Sequence, residues 1–213
     1  PVRKSAEADS STFSSSASCS SLGPDPEPDR FTLLITGGSQ GAFSINRAVL
    51  DAIQSMPGAD RLRIIHQTGV SQEKEVRKEY TNLSIRAEAR AFFTDLPRLM
   101  QQADLIIARA GAGTLSELAV FGKPAILVPF PHAADDHQTV NARAVADKGA
   151  AVMIADRDLT GDTLGSTLNH LIKDRETLER MGKAMKTLAR PHADEDIARH
   201  ILNTGQTIGQ PRR

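Results

Sequence analysis

"ADLIIARAGAGTLSELAVFGKPAILVPFP", residues 103–131, reads as one βαβ unit. The apolar run Asp104–Ala108 has the length of a buried strand. A loop of small residues, Ala110–Gly113, follows it, and Thr114–Phe121 has helical spacing. Gly122 and Pro124 stop that helix, and Ala125–Val128 forms a second short apolar run. Two such strands joined through a helix lie parallel, and the right-handed crossover packs the helix on one face of the sheet.

The same alternation extends in both directions. Strand-like runs occur at Phe31–Thr36, Leu62–His66, Ala150–Ile154 and, less distinctly, near Ile85–Phe92. Amphipathic segments separate them at Gly41–Ser55, Gln72–Lys78, Asp95–Gln102 and His137–Lys148. This pattern predicts an α/β fold: a Rossmann-like parallel sheet with helices on both faces. From Thr160 to Thr204 the spacing is helical only, with a break at Arg190-Pro191. Residues 1–30 are Ser-rich and then Pro/Asp-rich, with almost no large apolar side chains, and are expected to form a flexible linker. The folded domain is expected over 31–204, followed by a disordered tail at 205–213.

Composition narrows the function. Lys+Arg and Asp+Glu both number 26 among 213 residues, a balance that argues against nucleic acid as the main partner. Cys19 is the single cysteine, which excludes an internal disulfide and a multi-cysteine metal site and fits a reducing compartment. No apolar run approaches the ~20 residues of a spanning helix, and the first residues lack the apolar core of a signal peptide. Because the chain starts at Pro1, it is expected to be a processed product or part of a longer protein.

Two glycine loops carry the chemistry. In "FTLLITGGSQGAFSIN" a strand runs into Gly37-Gly38-Ser39-Gln40-Gly41 and then a helix, a geometry suited to an anion such as phosphate. A Walker A loop would end Gly-Lys-Ser/Thr, whereas Ala42-Phe43 follows Gly41. The dinucleotide fingerprint would need G-x-G-x-x-G and an acidic end to the second strand, whereas that strand ends "IIHQTG". Neither an ATPase nor an NAD enzyme is favoured. The second loop leads into Thr114-x-x-Glu117, which reads either as a capping box or as a carboxylate placed to hold ribose hydroxyls. On the residues alone the cap is the simpler reading. In "PHAADDHQ", His132, Asp135, Asp136 and His137 are potential metal ligands, but nothing fixes their geometry and hard and borderline donors are mixed, so no metal is expected. The loop reads either as solvated, with Asp135 or Asp136 capping the next helix, or as sugar-hydroxyl recognition by His137 and Gln138.

Taken in order, "PVR", "GGSQGA", "HQTG", the 103–131 stretch and "DDHQTVNA" followed by "KGAA" resemble the MurG family of bacterial glycosyltransferases. The resemblance covers the chain outside the Ser-rich segment. It implies the C-terminal half of a GT-B fold, the half that binds the donor UDP-N-acetylglucosamine. The whole enzyme would move N-acetylglucosamine onto lipid I, forming lipid II for peptidoglycan at the cytoplasmic face of the cell membrane. Carried over by position, the resemblance implies that Arg3 and Ser39 touch the donor, with Ser39 near the diphosphate. Gly37, Gly38 and Gly41 form the phosphate loop, and Ala112, Gly113 and Thr114 face the same diphosphate. The backbone of Phe93 recognises uracil, Glu117 holds the ribose, and His137 and Gln138 face the sugar. It implies no cofactor, and it puts the catalytic base, the lipid I site and the membrane contact in an N-terminal half, so no catalytic residue is expected here. Where the family has an arginine after the first loop, this chain has Phe43-Ser44. The alternatives are a UDP-sugar-binding module of a split two-chain glycosyltransferase and a GT-B-like UDP-sugar epimerase.

Overall fold

The computed structural model describes residues 30–38 and 40–208. Residues 1–29 of the expected linker and the last residues of the expected tail therefore lie outside the described residues.

Six parallel strands form one sheet in the order β3-β2-β1-β4-β5-β6. They are β1 (Thr32–Thr36), β2 (Arg63–Gln67), β3 (Ala87–Arg90), β4 (Leu105–Ala108), β5 (Ala125–Leu127) and β6 (Ala151–Met153). Helices α1 (Phe43–Ser55), α2 (Glu73–Asn82), α3 (Leu96–Gln102), α4 (Ala112–Phe121) and α5 (His137–Ala146) provide the crossovers. Helices α6 (Gly161–Lys173), α7 (Arg175–Lys186) and α8 (Ala193–Ile208) follow the last strand. The alternation read from the sequence is thus the observed one, within a few residues at each end. The last helix runs past the expected boundary at 204.

Strand alternation divides the core in two. Leu33, Ile35, Ile64, Ile107 and Ile126 point to the face covered by α1, α2 and α6. Leu34, Ile65, Ile106 and Leu127 point to the face covered by α3, α4 and α5. Burial on both faces explains why these strands are continuous apolar runs. β3 was indistinct in sequence because it is an edge strand whose only buried residue is Ala89. The tail also holds a break not visible in the pattern. Asp174 ends α6 and caps α7, accepting from the Thr177 N–H at 2.9 Å. Helix α4 ends at Gly122 (φ 63°), with Lys123 N–H donating back to the Leu118 carbonyl at 3.0 Å.

The chain leaves β1 toward β2 and later returns beside it as β4. In an open parallel sheet, this switch of direction leaves a crevice at the carboxyl ends of the two strands. Asp104 fastens the opposite end: its Oδ2 accepts from the Thr32 N–H at 2.7 Å, while its own N–H donates to the Thr32 carbonyl at 2.8 Å.

Candidate functional site

A cleft of about 540 Å³ opens at that crevice, lined by the first glycine loop, the second loop and the segment after β5. In the first loop, Gly38 and Gly41 have φ of 83° and 77°, and the Gly41 N–H donates to the Gly38 carbonyl at 3.1 Å. A Cβ on Gly41 would lie 2.2 Å from the Thr68 carbonyl oxygen, so the loop is pressed against the end of β2. Helix α1 then begins at Phe43, with Ala42 as its N-cap, no side-chain cap and no acidic residue in its first turn. Helix α4 begins at Ala112 in the same way, with Gly111 as its N-cap. Two helix N-termini without side-chain caps therefore open on one cleft, where their N–H groups and dipoles favour an anion.

The start of α4 corrects the capping-box reading. Gly111 is the N-cap, so Thr114 sits third in the helix and Glu117 sixth, and neither side chain caps it. Thr114 lines the cleft, while Ala112 and Gly113 are exposed on the first turn beside it. Glu117 is half-buried one turn further along, outside the cleft lining, and its carboxylate has no hydrogen-bond partner among the described residues.

The segment after β5 brings in Phe130, Pro131, His132 and Gln138. The Gln138 Oε1 accepts from the Ala110 and Phe130 N–H groups at 3.2 and 3.1 Å. Its carbonyl is thereby used to join two loops, and its Nε2 is left as a donor at the cleft. Asn141 adds a bond from Nδ2 to the Ala110 carbonyl at 3.2 Å. His137, expected beside Gln138, is exposed and outside the lining, with Nδ1 2.6 Å from the Ala134 carbonyl. Because a carbonyl can only accept, that contact makes Nδ1 the donor. Asp135 and Asp136 adopt φ near 50°, and no side chain caps α5, which corrects the expected aspartate cap. Among the described residues no group of three or more His, Cys, Asp or Glu side chains could hold a metal ion.

Sequence reading missed Arg109. Its side chain is 12% exposed and bonds Asp156 at 2.6 Å, Ser44 Oγ at 2.9 Å, and the Val128 and Pro129 carbonyls at 3.2 and 3.0 Å. Ser44 also donates to Asp156 at 2.7 Å. The guanidinium lies over the Phe130 ring, 5.5 Å from its centroid. Of the described residues lining the cleft, it is the only lysine or arginine. The available signal was its position, a cation directly after a buried parallel strand, but both side-chain partners are distant in sequence. Arg109→Met should lower stability by about 2 kcal/mol, because Asp156 loses its counter-charge in a largely buried setting. Urea unfolding should show Asp156→Asn recovering part of that loss in the Arg109→Met background. Equal instability of single and double variants would refute the charge argument.

On the other side of the first loop, Gln67 is 1% exposed. Its Nε2 donates to the Gly38 carbonyl at 3.0 Å and to Thr36 Oγ1 at 3.3 Å. Its Oε1 accepts from the Phe93 N–H at 3.2 Å. Phe93 itself is buried and sits outside the cleft lining, beneath the Arg90 guanidinium. Arg3 and Ser39 lie outside the described residues.

Comparison with known proteins places this geometry. The model of the glycosyltransferase family 28 C-terminal domain matches residues 32–197. The chain is 44% identical over 171 residues to the UDP-N-acetylglucosamine--N-acetylmuramyl-(pentapeptide) pyrophosphoryl-undecaprenol N-acetylglucosamine transferase of Myxococcus xanthus, covering 80% of this chain and 45% of that protein. It is 43% identical over 176 residues to the protein of the same name from Anaeromyxobacter sp. (strain Fw109-5), covering 82% and 46%. The crystal structure of Acinetobacter baumannii MurG superposes with a TM-score of 0.77 at 32% identity, over 85% of this chain and 54% of that one. The chain thus spans about half the length of the curated relatives it matches.

Proposed function

Because this chain belongs to the glycosyltransferase family 28 C-terminal domains, we propose that it is the donor-binding half of an inverting transferase that uses UDP-N-acetylglucosamine and lipid I to make lipid II. The observation that carries this reading is the convergence of two uncapped, acid-free helix N-termini on the cleft between β1 and β4. The diphosphate lies there, held by the first loop (Gly37, Gly38, Ser39, Gly41) and by the N–H groups of Ala112, Gly113 and Thr114. Arg3 adds a donor contact. Glu117 accepts from the ribose hydroxyls, the Phe93 backbone meets uracil, and the Gln138 amide donates to a sugar hydroxyl. His137, exposed beside Gln138 and outside the cleft lining, would reach the sugar only by turning its side chain toward the bound donor.

The reaction transfers the sugar to an acceptor hydroxyl and releases UDP, so negative charge grows on the diphosphate as the glycosidic bond breaks. Fixed N–H dipoles aimed at that position lower the barrier without reorganising, and they can do so without a metal. The acceptor hydroxyl needs a base. That base, the lipid I site and the membrane contact belong to the other half of the enzyme, at the cytoplasmic face of the membrane. Among the described residues no helix is long and apolar enough to cross a membrane. Phe43, Val70, Phe92 and Phe130 are exposed after strands β1, β2, β3 and β5, at the edge that the other half of the enzyme would cover.

Calorimetry should find UDP bound in preference to ADP, equally with and without chelator, and no transfer by the chain alone. Adding the N-terminal half should restore transfer. Absence of a uridine preference would sink the donor-site reading, and turnover by the isolated chain would show the base to be misplaced. Glu117→Gln should weaken UDP binding by roughly 1.5–3 kcal/mol, through loss of charged hydrogen bonds to the ribose. Its unfolding midpoint should hold, because Glu117 caps nothing.

A further inference from the structure

The "HQTG" segment, residues 66–69, contributes no residue to the cleft lining, yet it holds a buried polar cluster directly behind it. Gln67 is the last residue of β2, and its one planar amide serves two loops at once. The donor end binds Gly38 in the first glycine loop, and the acceptor end binds the Phe93 N–H beyond β3. We propose that Gln67 is a positioning residue that couples the two ends of the donor site, so that filling the diphosphate loop prepares the nucleoside side and the reverse. This rests on the donor-site reading above and adds to it a thermodynamic link between two subsites.

The geometry favours coupling over simple bracing. Carbonyl and amide nitrogen belong to one rigid plane, so a tilt that improves one bond alters the other. The alternatives are costly, because Gln67 is 1% and Phe93 5% exposed, and a buried N–H or carbonyl without a partner loses its solvation. The surroundings are fixed. Thr68 and Gly69 N–H groups donate to the Arg90 and Ala91 carbonyls at 2.9 and 3.1 Å, which clamps the end of β2 to the strand leading toward Phe93. Behind it, Asn46 donates to the Thr68 carbonyl at 2.9 Å and to Gln72 at 2.7 Å, while its Oδ1 meets His66 Nε2 at 3.0 Å. With backbone and neighbours held, the Gln67 amide is the element that can transmit a small shift of Gly38 to Phe93. Leu or Met would fill the space and transmit nothing.

Uridine and inorganic pyrophosphate, as separate fragments of the donor, test this in the full chain. In the wild type, saturating pyrophosphate should tighten uridine binding by a factor of about 5 or more, the lower range of measured site–site coupling. Pyrophosphate alone should slow hydrogen exchange at the Phe93 amide. Gln67→Met should bind each fragment but show a coupling factor near 1. Gln67→Glu keeps an acceptor for Phe93 and loses the donor to Gly38, so it too should lose coupling, and it serves if the methionine variant folds poorly. Wild-type uridine affinity that ignores bound pyrophosphate, or coupling that survives in either variant, overturns the proposal. So does an unchanged Phe93 exchange rate with pyrophosphate bound. Failure of the wild type to bind UDP at all overturns the donor-site reading itself, and the coupling with it.

Discussion

Gly41→Ala should abolish UDP binding and cost roughly 3 kcal/mol or more of stability, two penalties combined at one position. The first is conformational: Gly41 has φ of 77°, in the left-handed region that side chains with a Cβ avoid. The second is steric and larger. The new Cβ would lie 2.2 Å from the Thr68 carbonyl oxygen and 2.9 Å from Gly69 Cα, both backbone atoms that cannot swing aside. The crowding is reciprocal, since a Cβ on Gly69 would lie 2.4 Å from the Gln40 carbonyl oxygen. Relief would require the first loop to lift off the end of β2, taking Gly38 away from Gln67 and the start of α1 away from the cleft. Gly38→Ala is the control. Its φ is 83°, but a Cβ there meets nothing within 4 Å, so only the backbone strain of about 1–2 kcal/mol applies. Chemical unfolding of both variants decides the matter: equal losses would mean that the contact with Thr68 is not what makes glycine necessary at 41.

The second large effect is a loss of stability in mild acid, traced to His66. The ring is fully buried, 2.9 Å from the Tyr80 hydroxyl through Nδ1 and 3.0 Å from Asn46 Oδ1 through Nε2. Asn46 uses its Nδ2 as donor to Thr68 and Gln72, which fixes Oδ1 as the acceptor and places the histidine proton on Nε2. Nδ1 then accepts from Tyr80, whose hydroxyl burial holds in its neutral form well above the usual phenol range. Burial pulls the His66 pKa down to about 3. Between about pH 6.5 and that value the unfolded chain binds a proton that the folded chain refuses, so folding stability falls as pH falls. The slope approaches about 1.4 kcal/mol per pH unit, or roughly 3 kcal/mol from pH 6.5 to 4. His66→Gln should be less stable at neutral pH but should lack this component of the slope. Denaturant midpoints measured at pH 4, 5, 6 and 7 test the difference. Parallel pH profiles for the two proteins would assign the acid sensitivity elsewhere.

Much of the fold was legible because its strands are buried on both faces. Leu33 to Ile35 and Leu105 to Ile107 are apolar without alternation, a pattern that separates parallel-sheet strands from half-solvated ones. The glycine loops were equally visible, since Gly38 and Gly41 satisfy a local backbone demand that shows in local sequence. The site was less legible wherever its residues act through distant partners. Arg109 reads as an ordinary arginine until Asp156, 47 positions later, and Ser44, 65 positions earlier, are brought beside it. The pair Thr114 and Glu117 has the spacing of a capping box, but α4 starts two residues earlier at Ala112, which removes both from the cap. His137 and Gln138 are adjacent in sequence and were read together. A helix turns neighbours about 100° apart, and only Gln138 reaches the cleft. Periodicity could assign elements, but it could not say which end of a helix would meet which loop.

The place of β1 in the middle of the sheet bears on how the molecule assembles. Within the set β1 to β3, and within the set β4 to β6, strands consecutive in sequence pair with each other, so each set forms from contacts between near neighbours in the chain. Only the β1–β4 pairing joins the sets, and it must bring Leu33 beside Leu105. Closing so long a segment carries the largest chain-entropy cost in the sheet, which makes this the slow join in folding. The cleft straddles it, with the first glycine loop from one set and residues 109–138 from the other. A nucleotide seated there, as proposed, would be a rivet through the seam, touching both sets at once. It would raise stability by mass action and slow any unfolding that starts with the two sets parting.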